Sequence, residues 1–421
     1  MLASIVYTSG TTGRPKGVML THDNLLWNAF YASQCADFGA HEVFLSFLPM
    51  SHTLERTGGY YLPMLIGAEV AYARSIAQLA QDLQDIRPTV LISVPRIYER
   101  VYGRIQDGLA KKGRFAGMLF KLAVRVGWRR FERAQGRAGW HPELLLWPLL
   151  HKLVAGKAVA RLGGRLRLAI SGGAALSPEI ARVFIGLGVP IYQGYGLTET
   201  SPVVCVNRPD SNVPASIGPP LPGVEVKIGD NGELLTRSRC VMRGYWQDEA
   251  ATRAMIDADG WLHSGDQASV DAGGHYTIVG RLKDIIVLNN GEKVPPSEME
   301  AAILLDPLFE QVMIVGEGRP YLAALAVLNE AHWADFAASL NADPRHPAAL
   351  RDPRVAKALV QRVARQLRHF PGYAQIRRVY PELEPWTLED GLLTPTLKVK
   401  RKQVLDRYRA AIEAMYADFA R

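Results

Sequence analysis

Residues 7–17 have the sequence YTSGTTGRPKG, which has the composition of a phosphate-binding loop. Its glycines let the backbone approach an anion closely and direct N–H groups toward it. Hydroxyl groups that can donate to phosphate oxygens are present at Thr8, Ser9, Thr11 and Thr12. Lys16 adds a mobile positive charge. A plain surface turn would need neither the hydroxyls nor the lysine. The spacing matches neither the P-loop pattern nor the Rossmann fingerprint, so the loop belongs to another class of phosphate site.

The overall composition is that of an ordinary globular protein. The chain has 421 residues, of which 48% are hydrophobic and 21% charged, and this length predicts two or three domain-sized units. Disordered, fibrous and disulfide-stapled classes are excluded. The cysteines, Cys35, Cys205 and Cys240, form no CxxC pair. They predict neither a zinc site nor a disulfide framework. With no signal-peptide pattern and no apolar run of ~20 residues, they favour a cytoplasmic location.

The positive charge is concentrated in one segment. The formal net charge is +8, and residues 111–137 contain nine basic side chains and one acidic side chain, Glu132. The basic residues are Lys111, Lys112, Arg114, Lys121, Arg125, Arg129, Arg130, Arg133 and Arg137. Apolar residues recur at helical spacing through residues 115–133, which predicts an amphipathic basic helix.

Two interpretations of this basic helix remain open. In one, the helix packs on the core and exposes a solvated basic face. In the other, it contacts an anionic membrane surface or an anionic cofactor, and the protein is then peripheral to the inner face of a membrane. Nucleic acid is not expected as a partner, because basic residues are not interleaved with aromatic ones in the pattern of a nucleic-acid-binding surface.

Apolar runs alternate with helical stretches in the first half of the chain, which predicts an α/β architecture with a largely parallel sheet. The predicted strands are residues 4–7, 16–20, 43–48, 90–94, 166–170, 189–192 and 224–228, and the first predicted helix is 24–35. Short strands with Pro and Gly turns at about 201–280 predict an antiparallel or barrel-like region. A further unit of about 140 residues follows, a size that suits a small domain.

Further motifs follow the phosphate loop in order. They are FLPMSH at 47–52, SGGAAL at 171–176, YQGYGLTET at 192–200, WLHSGD at 261–266, GRLKD at 280–284 with NGEKVPP at 290–296, and LTPTLK at 393–398. With the loop extended to residue 22, this series resembles the signature of the AMP-forming adenylating enzymes. That family includes acyl-CoA synthetases, luciferases and the adenylation domains of peptide synthetases. The resemblance covers essentially the whole chain.

The resemblance implies a specific domain organisation. We expect an α/β protein whose large region has several subdomains, mixed sheets and a small barrel-like part, followed by a smaller, mobile α+β domain. The large AMP-binding domain is expected at residues 1–280, the small C-terminal domain at 284–421 and the hinge at 281–284. A basic helical insertion at about 103–163 is expected in the large domain and is typical of the long-chain subgroup.

The family reaction has two steps. A carboxylate attacks the α-phosphorus of ATP to give acyl-AMP and pyrophosphate, and a thiol then displaces AMP. By resemblance, the β- and γ-phosphates are held by Thr8, Ser9, Gly10, Thr11, Thr12, Gly13 and Lys16. Thr8 and Glu199 are expected to coordinate Mg²⁺, for which a carboxylate oxygen is a suitable ligand. Thr198 is expected to contact the α-phosphate, and His52 to lie by the reacting carboxyl group.

The adenosine site follows from the same resemblance. Tyr195, with Gly196 beside it, is expected to stack on adenine next to the backbone of Gly172 and Gly173.

Asp266 is expected to accept hydrogen bonds from the two ribose hydroxyls, and Arg281 to assist at the ribose or the phosphates. For some of these residues a purely structural interpretation also stands. Asp266 has the sequence position of a turn aspartate, His52 is also compatible with an ordinary core or surface histidine, and Thr198 with Glu199 is compatible with a helix cap.

The C-terminal motifs imply that one site serves both steps. By resemblance, Lys398 swings over the active site and stabilises the transition state of adenylation, and Lys283 is the hinge residue. After rotation of the small domain, Gly291 faces the channel for coenzyme A, where a side chain would block the thiol. Because Lys398 has basic neighbours, its sequence is also compatible with a solvated charge run.

Within the superfamily, the chain is most similar to long-chain fatty acid–CoA ligases, on residues 94–99, 217–225 and 241–246. The implied substrates are a long-chain fatty acid, ATP and coenzyme A, with Mg²⁺. The alternatives are a fatty acyl-AMP ligase that loads a carrier protein, and an inactive, truncated nucleotide-binding remnant. Family members have another segment of about one domain ahead of the phosphate loop. We therefore expect a fragment or a mis-started reading frame, or a missing N-terminal segment supplied by another chain.

Overall fold

The computed structural model of the protein describes residues 1–8, 15–394 and 399–417. These residues form two compact units. The first unit contains residues 1–8, 15–264 and 268–278, and the second contains 265–267 together with the described residues from 279 onward. Residues 265–267, which lie within one strand, therefore belong to the second unit, although the chain returns to the first unit until residue 278.

Short strands and helices alternate up to residue 281. The strands are β1 (Leu2–Thr8), β2 (Lys16–Thr21), β3 (Val43–Ser46), β4 (Glu69–Tyr72), β5 (Val90–Ser93), β6 (Leu168–Ser171), β7 (Ile191–Gly196), β8 (Val203–Val206), β9 (Glu225–Ile228), β10 (Glu233–Arg237), β11 (Gly244–Tyr245), β12 (Leu262–Val270) and β13 (Tyr276–Arg281). The α-helices are α1 (His22–Ser33), α2 (Thr53–Glu55), α3 (Leu62–Ile66), α4 (Leu79–Ile86), α5 (Pro95–Ala134), α6 (Trp147–Leu150), α7 (Gly156–Arg161), α8 (Pro178–Gly186) and α9 (Glu249–Met255). Tighter or wider helical turns occur at Arg56–Tyr61, Pro142–Leu146, His151–Ala155 and Thr198–Thr200.

The central sheet of the first unit has the strand order β4-β3-β5-β6-β7-β8. Strands β3 to β7 are all parallel, and β8 runs antiparallel to β7. Every residue of β5 is buried, as expected for a parallel strand covered on both faces. The prediction of a largely parallel sheet is confirmed. Strand β7 continues to Gly196, beyond the predicted end, because it pairs there with β8.

A second sheet has the order β1-β2-β11. Strands β1 and β2 are an antiparallel pair, and the two-residue strand β11 joins the other edge of β2, with Tyr245 opposite Val18. Helix α1 follows β2 and begins at His22, two residues before the predicted start. Thr21 caps it reciprocally with Asn24, so the helix begins where the capping box places it.

A third sheet has the order β13-β12-β10-β9, in which β9 and β10 are antiparallel. It corresponds to the region of short strands predicted between residues 201 and 280.

Helix α5 contains the predicted basic helix and is interrupted at Gly113, where φ is 81° and ψ is 177°. Residues 115–133 are helical, as predicted, but their apolar face is buried only in part. Ala123 and Val126 are fully buried, whereas Phe115 is 72% exposed and Met118 is 64% exposed. The apolar face of this helix is therefore packed on the core only in its later part, and both interpretations of the basic helix stay open.

The second unit contains a two-stranded sheet, formed by β14 (Ile286–Val287) and β15 (Lys293–Val294), and a three-stranded sheet, with β16 (Phe309–Val315), β17 (Leu322–Leu328) and β18 (Ile376–Glu382) in that order. Its helices are α10 (Pro296–Ile303), α11 (Glu330–Ser339), α12 (Pro353–Gln366), α13 (Arg401–Arg407) and α14 (Arg409–Tyr416). Strand β17 lies between β16 and β18, antiparallel to the first and parallel to the second. Its residues alternate between two buried clusters, one with α12 and the other with α13 and α14. Helices therefore cover both faces of this sheet.

Within the described ranges, no helix combines the length and the apolar character needed to cross a lipid bilayer.

Candidate active site

The phosphate loop is held at both ends by the β1–β2 strand pair. Thr8 ends β1 opposite Lys16, the first residue of β2, and the Thr8 hydroxyl donates to the Lys16 carbonyl oxygen at 3.5 Å. The intervening predicted phosphate ligands, Ser9, Gly10, Thr11, Thr12 and Gly13, lie outside the described residues. The strand pairing fixes the two ends of the loop and brings Thr8 and Lys16 together.

Lys16 lies over an aromatic ring that also contacts the predicted metal ligand. Its Nζ is 4.8 Å from the centre of the Tyr245 ring, and the Tyr245 hydroxyl donates a 2.7 Å hydrogen bond to Oε1 of Glu199. Glu199 is buried. Burial, and then the Glu199 charge, raise the pKa of Tyr245, so this hydroxyl remains a donor at any physiological pH. The structure thus joins a cation, a tyrosine and a buried carboxylate in one chain of contacts.

Close backbone packing fixes the turn that presents Glu199. At Gly196, the last residue of β7, a Cβ atom would lie 1.9 Å from the carbonyl oxygen of Pro202, so only glycine fits there. The 3₁₀ turn Thr198–Thr200 follows, and the Glu199 carbonyl oxygen accepts a 2.8 Å hydrogen bond from the N–H of Met242. Thr198, the predicted α-phosphate ligand, is half-buried in this turn.

The predicted adenine-side residues lie at the ends of two neighbouring parallel strands. Gly172 and Gly173 directly follow β6, and Tyr195 lies near the end of the adjacent strand β7. The buried side chain of Gln193 ties the two together, because its oxygen accepts a 2.8 Å hydrogen bond from a backbone N–H of the loop after Gly173. In open α/β sheets, ligands bind at such carboxyl ends. The three predicted residues therefore share one edge of the sheet.

His52 caps the short helix α2. Its Nδ1 accepts a 3.2 Å hydrogen bond from the N–H of Leu54, which assigns the proton of the neutral ring to Nε2. Leu54 also contacts the adenine-side loop, since a Cβ atom at Gly172 would lie 3.3 Å from its methyl carbons. The structure places Leu54, two residues after His52, next to this loop, and the helix cap orients the His52 ring.

The predicted ribose residues form an ion pair in the second unit. Nε of Arg281 lies 3.1 Å from Oδ1 of Asp266, and Asp266 is only 4% exposed. The adjacent backbone is tied as well, because the N–H of Leu282 donates to the carbonyl oxygen of Gly265 at 2.9 Å. A carboxylate offers about four acceptor positions, so this ion pair is compatible with further hydrogen bonds to a diol.

Gly291 lies in the exposed turn between β14 and β15. Its φ of 85° is in the left-handed region, and its N–H donates to the Leu288 carbonyl oxygen at 2.9 Å. The turn itself therefore favours glycine, while a Cβ atom here would have no atom within 4 Å. The predicted role in the coenzyme A channel stays a prediction.

Lys398 lies outside the described residues, together with 395–397. The described residues on either side form an isolated antiparallel bridge between Leu393 and Val399. The predicted hinge residue Lys283 is exposed. The roles proposed for Lys398 and for the hinge stay predictions.

The described residues hold no cluster of three or more His, Cys, Asp or Glu side chains that would form a complete metal site. Mg²⁺ commonly binds through one or two carboxylates and completes its shell with waters and substrate phosphates. Glu199 supplies one buried, hard anionic oxygen ligand, and Tyr245 engages one of its oxygens. This donor set fits Mg²⁺ brought in with a nucleotide.

Tyr245 and Glu55 were not identified from the sequence as site residues. Tyr245 belongs to residues 241–246, which were noted for their similarity to long-chain ligases, but its contact with Glu199 arises only because β11 joins β2.

Glu55 is fully buried, and neither carboxylate oxygen has a hydrogen-bond partner of good geometry among the described residues. Burial raises its pKa to about 7, and the Ser46 hydroxyl offsets this only in part.

The chain belongs to the AMP-binding enzymes. The sequence pattern of the family described as AMP-binding enzyme matches residues 1–246, and that of the AMP-binding enzyme C-terminal domain matches residues 283–420. The predicted family resemblance is thereby confirmed, as is the mixed α/β fold with a smaller C-terminal part.

Individual relatives agree with this assignment. The chain is 33% identical over 422 residues to a putative fatty-acid–CoA ligase, fadD11, of Mycobacterium tuberculosis, covering 99% of this chain and 74% of the relative. It is 35% identical over 444 residues to the peroxisomal long chain acyl-CoA synthetase 7 of Arabidopsis thaliana, covering 100% and 61%. A solved structure, the A domain of a carboxylic acid reductase from Segniliparus rugosus in complex with AMP and a co-purified carboxylic acid, is similar with a TM-score of 0.74 and 25% identity, covering 99% and 62%. The chain spans 61% to 74% of the lengths of these proteins.

Proposed function

We propose that this chain activates a long-chain fatty acid to acyl-AMP and transfers the acyl group to coenzyme A. The observation that carries the proposal is the similarity to fatty-acid–CoA ligases over 99% of the chain. The geometry that supports it is the contact chain Lys16–Tyr245–Glu199, which links a cation at the start of β2 to a buried carboxylate. A triphosphate with its metal needs this combination of charges.

In the first step, a carboxylate oxygen of the fatty acid attacks the α-phosphorus. The bond from this phosphorus to the bridging oxygen breaks, and pyrophosphate leaves with the electron pair. Two anions must approach each other, so charge neutralisation and alignment dominate the catalysis. Lys16 neutralises the leaving phosphates, Thr198 holds the α-phosphate, and His52 orients the reacting carboxylate through its Nε2–H. Mg²⁺, when bound at Thr8 and Glu199, supplies further charge neutralisation.

In the second step, the thiolate sulfur of coenzyme A attacks the acyl carbonyl carbon, and AMP leaves with the electron pair of the broken C–O bond. Asp266 and Arg281 hold the ribose through both steps. We expect the small domain to rotate about residues 281–284 between the steps. Lys398 then leaves the active site and the turn that carries Gly291 takes its place, so that one site serves both reactions.

We also propose peripheral contact with an anionic membrane through residues 111–137, on the inner face. The positive charge that this segment presents is lower than the sequence suggests, because the Glu143 carboxylate pairs with Arg125 at 3.1 Å and with Arg129 at 2.8 Å. Exposed Phe115 and Met118 add apolar surface on the same helix. Basic and exposed apolar side chains on one helix suit an anionic lipid interface.

Pyrophosphate release and acyl-CoA formation with fatty acids of increasing chain length test the proposed function. We expect turnover with long chains and with coenzyme A, and not with acyl carrier protein as the only acceptor. Lys16→Ala and Glu199→Gln should each reduce pyrophosphate release about 10²–10³-fold. The matched control is Lys227→Ala, which removes a lysine Nζ that lies 4.0 Å from the centre of the Trp261 ring. Equal pyrophosphate release in all three variants would contradict the phosphate-site assignment.

Vesicle sedimentation tests the membrane contact. Binding should require anionic lipid and weaken as the salt concentration rises, and Lys111→Glu with Lys112→Glu should weaken it further. Equal binding to neutral vesicles at high salt would overturn the proposal.

A further inference from the structure

Helices α5 and α8 enclose a groove that the proposed reaction does not use. Its volume is about 640 Å³, within the range of about 300–1,000 Å³ that is usual for small-molecule sites. It is lined by Tyr102, Gln106, Leu109, Gly113, Arg114, Gly117, Phe120, Lys121, Val124, Arg125, Arg182 and Val183. None of these residues belongs to the motifs that define the nucleotide site.

The groove lies between two places where the helices touch closely: near residue 127, and at the first turn of α5, where the Tyr98 ring lies 5.4 Å from the Phe184 ring. A Cβ atom at Gly127 would lie 1.8 Å from the carbonyl oxygen of Gly186, so the backbones meet there. Toward the start of α5 the helix is interrupted at Gly113, and a Cβ atom at either Gly113 or Gly117 would have no atom within 4 Å. Small residues and the helix break thus leave space where side chains would otherwise pack.

The lining combines an apolar floor with a cationic rim. Leu109, Phe120, Val124 and Val183 supply the apolar surface, and Phe120 is buried. Arg114, Lys121, Arg125 and Arg182 supply positive charge, and the described residues that line the groove include no aspartate or glutamate. An apolar surface with charges of one sign at its edge is complementary to an amphiphile with an anionic head group.

The four cations are not equally engaged. Arg125 pairs with Glu143 at 3.1 Å, and the Arg182 guanidinium lies 5.3 Å from the centre of the Trp128 ring. In the part of the chain that the structure describes, Arg114 and Lys121 take part in no ion pair. These two residues are therefore the cations that are available to a ligand.

We propose that this groove binds the anion of a long-chain fatty acid at a second, non-catalytic site, with the carboxylate at Arg114 and Lys121 and the acyl chain along the apolar floor. The apolar and cationic lining by itself indicates a ligand with an acyl chain and a negative charge. That the charged group is a carboxylate rests on the proposed function. Such a site would hold substrate on the protein before activation.

The first test counts bound hexadecanoate by equilibrium dialysis, below its critical micelle concentration. The protein is first saturated with a non-hydrolysable hexadecanoyl-AMP analogue, hexadecanoyl-sulfamoyl-adenosine, which fills the catalytic site. The wild type should then bind close to one further hexadecanoate per chain. No binding above background in the wild type would overturn the inference.

Gly117→Leu should abolish this residual binding, because the new side chain extends into open space within the groove. Folding is not expected to suffer, since leucine favours a helix more than glycine does. Gly108→Leu is the matched control: Gly108 lies on the same helix, also with no atom near a Cβ, but it does not line the groove. Equal residual binding in the two variants would contradict the proposal.

Arg114→Glu with Lys121→Glu should lower the affinity for hexadecanoate at least about tenfold. The same charge change at Lys111 and Lys112, which do not line the groove, should have a much smaller effect. Hexadecan-1-ol, octanoate and inorganic phosphate serve as probes that lack the charge or the full chain, and each should compete poorly. Full competition by phosphate alone would indicate a phosphate site and overturn the fatty-acid assignment.

Anionic vesicles separate this groove from a membrane-binding surface. If Gly117→Leu loses hexadecanoate binding but keeps vesicle binding, the groove holds a single fatty acid, as proposed. If it loses vesicle binding and the wild type binds no free hexadecanoate, the groove is a lipid-surface contact and the proposal is wrong. Acyl-CoA formation, measured in parallel, reports on the proposed function independently of either result.

Discussion

The two units hold their site residues in different ways. In the first unit, Glu199 is buried, hydrogen-bonded to Tyr245 and presented by a turn that backbone packing fixes. In the second unit, Asp266 is buried and paired, but Gly291 lies on an exposed turn with empty space around it. Glu199, which we propose holds the metal during adenylation, is therefore fixed by packing. Gly291, which we propose serves thioester formation, lies where a side chain would meet no other atom.

The largest effect is expected for Lys398→Ala. If this lysine serves the first step only, acyl-AMP formation should fall about 10²–10³-fold, as is typical for the loss of one electrostatic contact to a transition state. The reaction of supplied acyl-AMP with coenzyme A should be largely retained. Single-turnover measurements of each half-reaction check this, with the exposed neighbour Lys402→Ala as control. Loss of both half-reactions in Lys398→Ala would remove the contrast between the two units.

The next largest effect concerns the buried carboxyl group of Glu55. Its pKa rises from about 4.5 to about 7 on folding, so the folded state keeps a proton that the unfolded state has lost between these pH values. Stability should therefore fall as the pH rises through this window, by up to roughly 3 kcal/mol, and change no further from this group above it.

Glu55→Gln removes this proton linkage while keeping the shape of the side chain. Urea denaturation at pH 5.5 and pH 8 should show that the variant loses less stability than the wild type on going to the higher pH. Glu69→Gln, at an exposed strand position, is the control. An identical pH dependence in wild type and Glu55→Gln would mean that this interior does not keep Glu55 protonated.

A smaller effect is expected for Tyr245→Phe. The variant keeps the ring beneath Lys16 and loses only the hydrogen bond to the Glu199 carboxylate, a bond to a charged group worth about 1.5–3 kcal/mol. The rate of acyl-AMP formation should fall about tenfold or more. Tyr245→Leu, which also removes the ring, should be worse. Tyr276→Phe is the matched control, since that hydroxyl donates to the backbone oxygen of Val226. If Tyr245→Phe behaves like this control, the contact chain has no part in catalysis.

The smallest change in stability is expected at Gly291. Gly291→Ala should cost about 1–2 kcal/mol because of the left-handed backbone, and Gly291→Asn less, since asparagine adopts this conformation more readily. Transfer to coenzyme A should be impaired in proportion to side-chain size, with Gly291→Leu worst and adenylation kept. If transfer follows the stability loss instead, with asparagine better than alanine, Gly291 serves the turn and not the channel.

The order of elements and the family could be predicted from the amino-acid sequence. Apolar runs predicted the strands at 43–48, 90–94, 166–170 and 189–192, and helical apolar spacing predicted the helix at 115–133. Both predictions were possible because a buried strand or helix face produces a characteristic spacing of apolar residues in the sequence. By their resemblance to the family, the motifs also predicted which residues serve the nucleotide, and those roles stay predictions. Element ends were less certain, as at Thr21, where a side-chain cap sets the start of the helix.

Which side chains meet, and how burial changes their pKa values, became clear from the folded structure alone. Tyr245 reaches Glu199 because a two-residue strand joins β2 across more than two hundred residues of chain. The pKa of Glu55 is raised because water is excluded from its surroundings. The groove beside Gly117 exists because no side chain fills that space. Neither effect can be predicted from a local sequence pattern. Local chemistry is encoded by residue type and spacing, whereas contact, desolvation and empty space arise from the packing of segments that are distant in sequence.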